Sequence, residues 1–315
     1  MYTESSYELA YTITKVTTIS CYFFTFIVGV IGNGLVIWIT GCRMKTVNAV
    51  WFLNLAIADF LCCISLPVRI VEWLLLDHNK VCVPIVYVNV TMLHMNSFTS
   101  VAFLTVISID RFVTIFWPIW AKIHKTRGLA ITASIVLWIL CFALVVLQIF
   151  IFPDEIHTFF AAVPEHKYLK DYEVRKHEVP SYGSSKRYFM ISRSLVMFAL
   201  PFAVILICYG LIIYKLQTGK YKRPQAFQRT FKIIAAAVGG FFGCWFPYNV
   251  WPFIAKRTNI RHLHLDFTMS SLCICLVMVS CCLNPVLYAL LSKKRSQDSR
   301  TSIKIRMQNA MSDFK

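Results

Sequence analysis

What this chain of 315 residues lacks first is charge. Only 15% of its residues are charged, against about a quarter in an ordinary soluble domain. Hydrophobic residues make up 57% and the mean hydropathy is +0.62. A water-soluble globule of this make-up would run out of polar surface to cover itself, so lipid must be the solvent. Acid is scarcer still, with 15 Asp and Glu facing 32 Lys and Arg, a net charge of +17. Internal repeats and low-complexity runs are absent, which argues against a transporter assembled from symmetric halves. A single deeply placed acid argues the same way. In none of the loops does a nucleophile stand with a base and an acid, and none has metal-ligand spacing, which sets an enzyme aside. Of the 12 cysteines, all but Cys82 fall in or beside apolar stretches, where a thiol packs as a small apolar group. The long loop from about Pro153 to Arg187 has none, so Cys82 finds no partner there.

What is present is length of apolar sequence. Seven stretches reach the roughly 20 residues a helix needs to cross a bilayer: about 16–41, 47–74, 82–116, 127–152, 188–215, 231–255 and 266–291. They must be helices, since an unclosed strand would leave backbone groups unpaired in hydrocarbon. The expected fold class is therefore an all-α membrane protein, a bundle of seven transmembrane helices forming one domain. Residues 1–15 form an outer tail, 16–291 the bundle and 292–315 a short cytoplasmic tail. Charge placement sets the orientation. Arg43 and Lys45, then Lys122, Lys125 and Arg127, then Lys215, Lys220, Lys222, Arg223, Arg229 and Lys232, and finally Lys293, Lys294, Arg295 and Arg300 lie in alternate, almost acid-free loops. Such loops are read as cytoplasmic, which puts the amino terminus outside and excludes nucleic acid as the reason for the charge. The first apolar run is too long and too late for a cleaved leader, so the first span is expected to target the chain.

Hydrophilic residues inside these spans are the candidates for function. Charges there are costly, about 2.5–3.5 kcal/mol each on insertion scales. Asp110-Arg111 stands where the third stretch runs out, either as an interfacial pair or as a working one. Asp59 sits mid-span and needs a proton, a cation or hydrogen-bond donors. Asn33, Asn96, Ser100, Ser280 and Asn284 are the candidates to supply them. Asn96 and Ser100 are four apart and share a helical face, and with Asp59 they offer the oxygen ligands a hard cation prefers. A hydrogen-bonded polar cluster without an ion is the alternative. Pro201, Pro247 and Pro285 each delete a backbone hydrogen bond and loosen a span, which gives a bundle the two close packings a switch needs. Arg193, eight residues before Pro201 and so about 12 Å of helix rise from it, requires an anion. Either a ligand carboxylate supplies it, paired bidentately, or Asp266 or Glu72 does, or the side chain snorkels.

In their order along the chain, Asn33, Asp59, Asp110-Arg111-Phe112, Trp138, Pro201, Cys244-Trp245-Phe246-Pro247 and Asn284-Pro285-Val286-Leu287-Tyr288 resemble the rhodopsin-like G-protein-coupled receptors. Gly32 to Trp38, Thr46 to Ala56, Ser65-Leu66-Pro67, Pro118-Ile119-Trp120-Ala121, Ile207 to Ile212 and Arg193 are similar to the chemoattractant branch, the formyl-peptide and complement anaphylatoxin receptors. The resemblance implies a multi-pass plasma-membrane receptor, not an enzyme, with no cofactor beyond a sodium ion as an allosteric modulator. That ion would sit at Asp59, Asn96, Ser100, Ser280 and Asn284. It implies a ligand cavity with Arg193, His94, Tyr248 and Trp245, and a switch through Asp110, Arg111, Tyr209, Trp245, Pro247, Asn284, Pro285 and Tyr288. Asp110 would be the resting partner of Arg111, with Tyr209 and Tyr288 receiving it on activation. The implied partners are an extracellular peptide or acidic lipid, a heterotrimeric G protein of the inhibitory class, and arrestin. Leu93 stands where amine receptors keep an aspartate, and Met278 where opsins keep their lysine, which excludes a monoamine and retinal.

The sequence departs from the branch in several places. Val86 replaces the third-span cysteine of the usual loop disulfide, a bridge typically worth about 2–4 kcal/mol. The aromatic-glycine signature expected near Leu76 to Lys80 is missing. Arg295 replaces the usual phenylalanine after the seventh span, and the tail has no cysteine for palmitoylation. A non-signalling scavenger is the competing reading these losses suggest, though Asp110, Arg111, Tyr209, Asn284 and Tyr288 are all present. Tyr2 and Tyr7 beside Glu4 and Glu8 form a weak sulfation pattern. The one N-x-S/T match, Asn89-Val90-Thr91, falls inside a span.

Overall fold

The computed structural model describes residues 4–43, 46–76, 83–151, 191–218, 225–255 and 263–286. Long apolar runs find no partners for their backbones in hydrocarbon, so they pair internally and become helices throughout this range. They are α1 (Glu4–Trp38), α2 (Val47–Leu76), α3 (Val83–Phe116), the short α4 (Pro118–His124), α5 (Arg127–Ile151), α6 (Leu200–Thr218), α7 (Gln225–Ala255) and α8 (Leu263–Ser280). Among the described residues, five segments are long and apolar enough to cross a membrane: Glu8–Cys42, Val47–Leu75, Tyr87–Phe116, Arg127–Phe150 and Ile191–Thr218. Leu265–Ser280 is a shorter apolar helix, and α7 has 31 residues, roughly 46 Å of rise and ample for a crossing. α1 starts at Glu4, so helix covers most of the stretch expected to be a tail.

Several neighbours in sequence are neighbours in space. α1 packs on α2, α2 on α3 and α7 on α8, while α8 returns to α1 and closes the ring. α3 runs through the middle and touches α2, α4, α5 and α6. Leu55, Leu66, Phe103, Ile107, Ile205 and Val277 form the buried interior. Large apolar side chains also cover the outside; Phe150 is 80% exposed and Leu200 65%. In water such a surface would aggregate, whereas against acyl chains it is the expected outer face. Asn89 is fully buried, so the Asn89-Val90-Thr91 match offers no glycan site.

The breaks at Pro201 and Pro285 are accommodated differently. Ahead of Pro201 the chain widens into a π-helical turn, Leu195–Ala199, in which the Leu200 N–H reaches Leu195 O. Such a bulge absorbs the missing donor. Pro285 cannot donate to the carbonyl of Cys281, four residues back. Asn33 on α1 takes that place, its Nδ2 donating to Cys281 O at 2.9 Å and to Gly29 O at 3.0 Å. The expectation that Asn33 serves Asp59 is thereby corrected, because its donor group is spent on the broken seventh span. α8 ends at Ser280, a turn at Cys281 and Cys282 follows, and helix resumes over 283–286. The Pro285 ring packs against Gly32, where an added Cβ would lie 2.9 Å from it, so the small residue lets α1 approach the break.

Candidate functional site

Three polar layers lie inside the bundle. In the first layer Arg193, at the start of the fifth span, is only 9% exposed and holds its guanidinium 5.2 Å from the centre of the Tyr248 ring. That is a cation–π distance. Tyr248 meets Trp245 edge-on at 5.8 Å and 88°, and Trp245 lies against Phe241 at 5.5 Å. Arg193, Tyr248 and Trp245 thus form a contact chain that runs from the start of the fifth span to the Pro247 break and joins three of the four expected ligand residues. His94, the fourth, is buried and turns Nδ1 to Val90 O of its own helix at 2.8 Å. Leu93 and Met278 are buried apolar positions. Glu72, one alternative partner for Arg193, is occupied elsewhere. It accepts from Asn89 Nδ2 and lies beside Arg69, whose guanidinium donates to Asn89 O at 3.1 Å. Tyr22 on α1 completes this cluster. Sequence spacing placed Arg69 on no site, because only the α1–α2–α3 junction brings the four residues together.

In the middle layer Asp59 on α2 is 3% exposed and accepts hydrogen bonds from three residues on two sides. Asn284 Nδ2 donates to Oδ2 at 2.9 Å, Asn96 Nδ2 to Oδ1 at 3.1 Å and Ser100 Oγ to Oδ1 at 3.4 Å. Four of the five residues expected around a cation therefore converge. Ser280 does not join them, since its hydroxyl donates to Val277 O at 2.6 Å. The donor chemistry still suits a hard cation. One carboxylate and the Ser100 hydroxyl face the same space, and Ser280 has used its proton, not its lone pairs. Nearby, Asn54 Nδ2 donates to Ser134 Oγ at 3.1 Å, and Trp138 Nε1 donates to Asn54 Oδ1 at 2.9 Å. These bonds hold α5 to α2.

At the third layer, the end of α3, Asp110 and Arg111 are buried to 8% and 9% exposure. The expected pairing is present but weak, Arg111 Nη2 standing 4.0 Å from Asp110 Oδ2. The short contact belongs to Lys125, whose Nζ lies 2.6 Å from Asp110 Oδ1 and 2.8 Å from Thr114 Oγ1. Trp51 Nε1 adds a third donor to the same carboxylate at 3.3 Å. The resting partner of Asp110 is thus chiefly Lys125, a residue that sequence reading took only as a topology signal. Fifteen residues separate the two, and α4 alone folds one back onto the other. Tyr209 is buried beside Ser108 and within electrostatic range of Arg111. Lys215 sits over the Phe116 ring at 4.3 Å and ties α6 to the end of α3. Tyr288, Cys82, Tyr2, the 153–187 loop and the 292–315 tail lie outside the described residues.

The profile of the 7 transmembrane receptor (rhodopsin family) matches residues 32–288. The chain belongs to that family. Among its relatives is the C3a anaphylatoxin chemotactic receptor of Oncorhynchus mykiss, 33% identical over 281 residues, covering 88% of this chain and 74% of the relative. Chemerin-like receptor 1 of Bos taurus is 32% identical over 317 residues, covering 96% and 84%. The C5a anaphylatoxin chemotactic receptor 1 of Oryctolagus cuniculus is 30% identical over 311 residues, covering 95% and 83%. This is a multi-pass plasma-membrane receptor of the chemoattractant branch and not an enzyme.

Proposed function

We propose that this receptor responds to a peptide or lipid chemoattractant with an anionic end and signals through an inhibitory heterotrimeric G protein. The observation that carries the reading is the contact chain from Arg193 through Tyr248 to Trp245. A ligand carboxylate binds a guanidinium bidentately and more strongly than an aromatic face does. Its arrival draws Arg193 off Tyr248. Tyr248 then shifts its edge on Trp245, one turn from Tyr248 and beside the Pro247 break where the sixth span bends most easily. The names of the relatives, receptors for C3a, C5a and chemerin-like ligands, support the same ligand class.

At the opposite end, Arg111 is held only loosely by Asp110 because Lys125 has the closer claim. Outward movement of the sixth span would open a crevice in which Arg111 meets the G protein, with Tyr209 alongside. Arrestin is the second cytoplasmic partner of this reading. Sodium would act on the resting arrangement, held by Asp59, Ser100 and Asn96 with Ser280 and Asn284 alongside. When bound it supplies a positive charge that neutralises the buried carboxylate and favours the packing that surrounds it.

The test is a panel of formyl peptides, anaphylatoxin fragments, chemerin-like peptides and acidic lipids, read as suppression of cyclic AMP. Arg193→Ala is expected to abolish the response to the active compound while surface expression stays intact. An unchanged dose–response curve overturns the carboxylate role.

A further inference from the structure

Sulfur collects along the seam between α2 and the seventh span. The Cys62 thiol donates to Met278 Sδ at 3.7 Å, the Cys281 thiol to Asn96 Oδ1 at 3.7 Å and the Cys282 thiol to Thr25 O at 3.5 Å. The Cys63 thiol is within hydrogen-bonding reach of those of Cys281 and Cys282. Cys281 is also in reach of Cys62. All four are free thiols; Cys63 has no exposed surface and Cys282 has 8%. A thiol that only fills space as a small apolar group has no reason to meet another. Here four of them, from two elements, meet in one place.

Gly29 on α1 makes room for one pair of them. A Cβ added to it would fall 2.2 Å from Cys63 Sγ and 3.4 Å from Cys282 Sγ, so both sulfurs border the slot that the missing side chain leaves. Cys281 turns the other way, toward Asn96 on α3. The register of the two elements is held close by, where Asn284 Nδ2 donates to Asp59 Oδ2 at 2.9 Å. Cys63 stands one turn beyond Asp59, and Cys282 two residues before Asn284. Cys282 belongs to the turn that follows α8, in which its N–H reaches Val279 O at 2.9 Å. A turn yields to the short approach that disulfide geometry demands, whereas a helix interior would resist it.

We propose that Cys63 and Cys282 are an oxidation site at which hydrogen peroxide forms a reversible disulfide, pinning α2 to the seventh span beside the Pro285 break. Cys282, the more exposed of the two, meets the peroxide first. Its sulfur takes one oxygen as the O–O bond breaks, which gives a sulfenic acid and releases one water. The Cys63 sulfur then displaces that oxygen. The S–O bond breaks, the S–S bond forms, and the second water leaves with the Cys63 proton. Two electrons pass from the two sulfurs to the peroxide, and both of its oxygens end as water. Hydrogen peroxide is small and uncharged, which suits a site with so little open surface.

The experiment uses the full receptor in nanodiscs, treated with hydrogen peroxide, capped with N-ethylmaleimide on denaturation and digested without reduction for mass spectrometry. A linked peptide pair holding Cys63 and Cys282 is expected, and dithiothreitol should remove it. The oxidised parent should also melt higher than the reduced parent, read by tryptophan fluorescence, because the bond closes a loop of more than half the chain. Cys63→Ala and Cys282→Ala should each lose the linked pair and the shift. Cys62→Ala, which removes a neighbouring thiol, should keep both. The measurement on the parent stands by itself if a variant folds poorly. No agonist or G protein enters the assay, so its failure is separate from failure of the signalling reading. A bond from Cys63 to Cys281, oxidation confined to the exposed Cys42, or a melting shift that survives in both variants overturns the assignment.

Discussion

Asn33 offers the sharpest test of how this bundle tolerates its broken seventh span. Pro285 has no N–H, so the Cys281 carbonyl loses its helical donor, and Asn33 Nδ2 at 2.9 Å takes its place. Asn33→Ala removes that bond and the one to Gly29 O. The Gly29 carbonyl keeps a backbone donor within α1, so the cost falls on Cys281 alone. A buried carbonyl left without a partner costs about 1–3 kcal/mol, while hydrogen bonds between membrane helices average about 0.6 kcal/mol and reach about 1.7. Full burial of Asn33 places this case near the upper end, at about 1–2 kcal/mol. For a chain of this size that corresponds to a melting temperature lower by roughly 1.5–3 °C, measured by a thiol-reactive dye that reports exposure of the buried cysteines. The decisive arm is the cycle with Pro285→Ala. That substitution restores an N–H in register with Cys281 O, as Val286 N already is with Cys282 O at 3.3 Å. In this background Asn33→Ala should cost distinctly less. An equal loss in both backgrounds, or none in either, refutes the reasoning.

Lys125→Ala should let Arg111 close on Asp110. The pair is neither fully exposed, where about 0.2–1 kcal/mol is usual, nor fully buried, where breaking one costs about 3–5, so about 1–2 kcal/mol is expected. The readout is a several-fold fall in agonist-independent nucleotide exchange, and an unchanged basal rate counts against Lys125 as the resting partner. Asp59→Asn should abolish the sodium dependence of agonist binding, checked by salt titration in which a potassium series holds ionic strength constant. Identical titrations in variant and parent would remove the cation from the middle layer. Tyr248→Phe should keep the ring contacts and most of the agonist response, whereas Tyr248→Leu should lose about 0.5–2 kcal/mol of coupling, read as a right-shifted dose–response curve. Equal effects from the two substitutions would mean the hydroxyl matters and the ring relay does not.

The sequence alone determined that lipid is the solvent, that the spans are helices and where most of them lie, because hydropathy summed over twenty residues leaves no alternative for a backbone in hydrocarbon. It also singled out the hydrophilic residues worth watching, since each is costly in a span and none is there by default. The convergence of Asp59, Asn96, Ser100 and Asn284 was legible in the sequence, whereas the contact of Arg193 with the Tyr248 ring was not. Tertiary structure decided which hydrogen bond each polar group makes. Asn33 turns to Cys281 and not Asp59, Ser280 turns to its own backbone, and Glu72 joins Arg69 and Asn89, leaving Tyr248 against Arg193. Lys125 displaces Arg111 from Asp110 by folding back through α4. A polar side chain in an apolar medium takes the nearest complementary group, and nearness between helices is set by packing and by proline breaks, not by spacing along the chain.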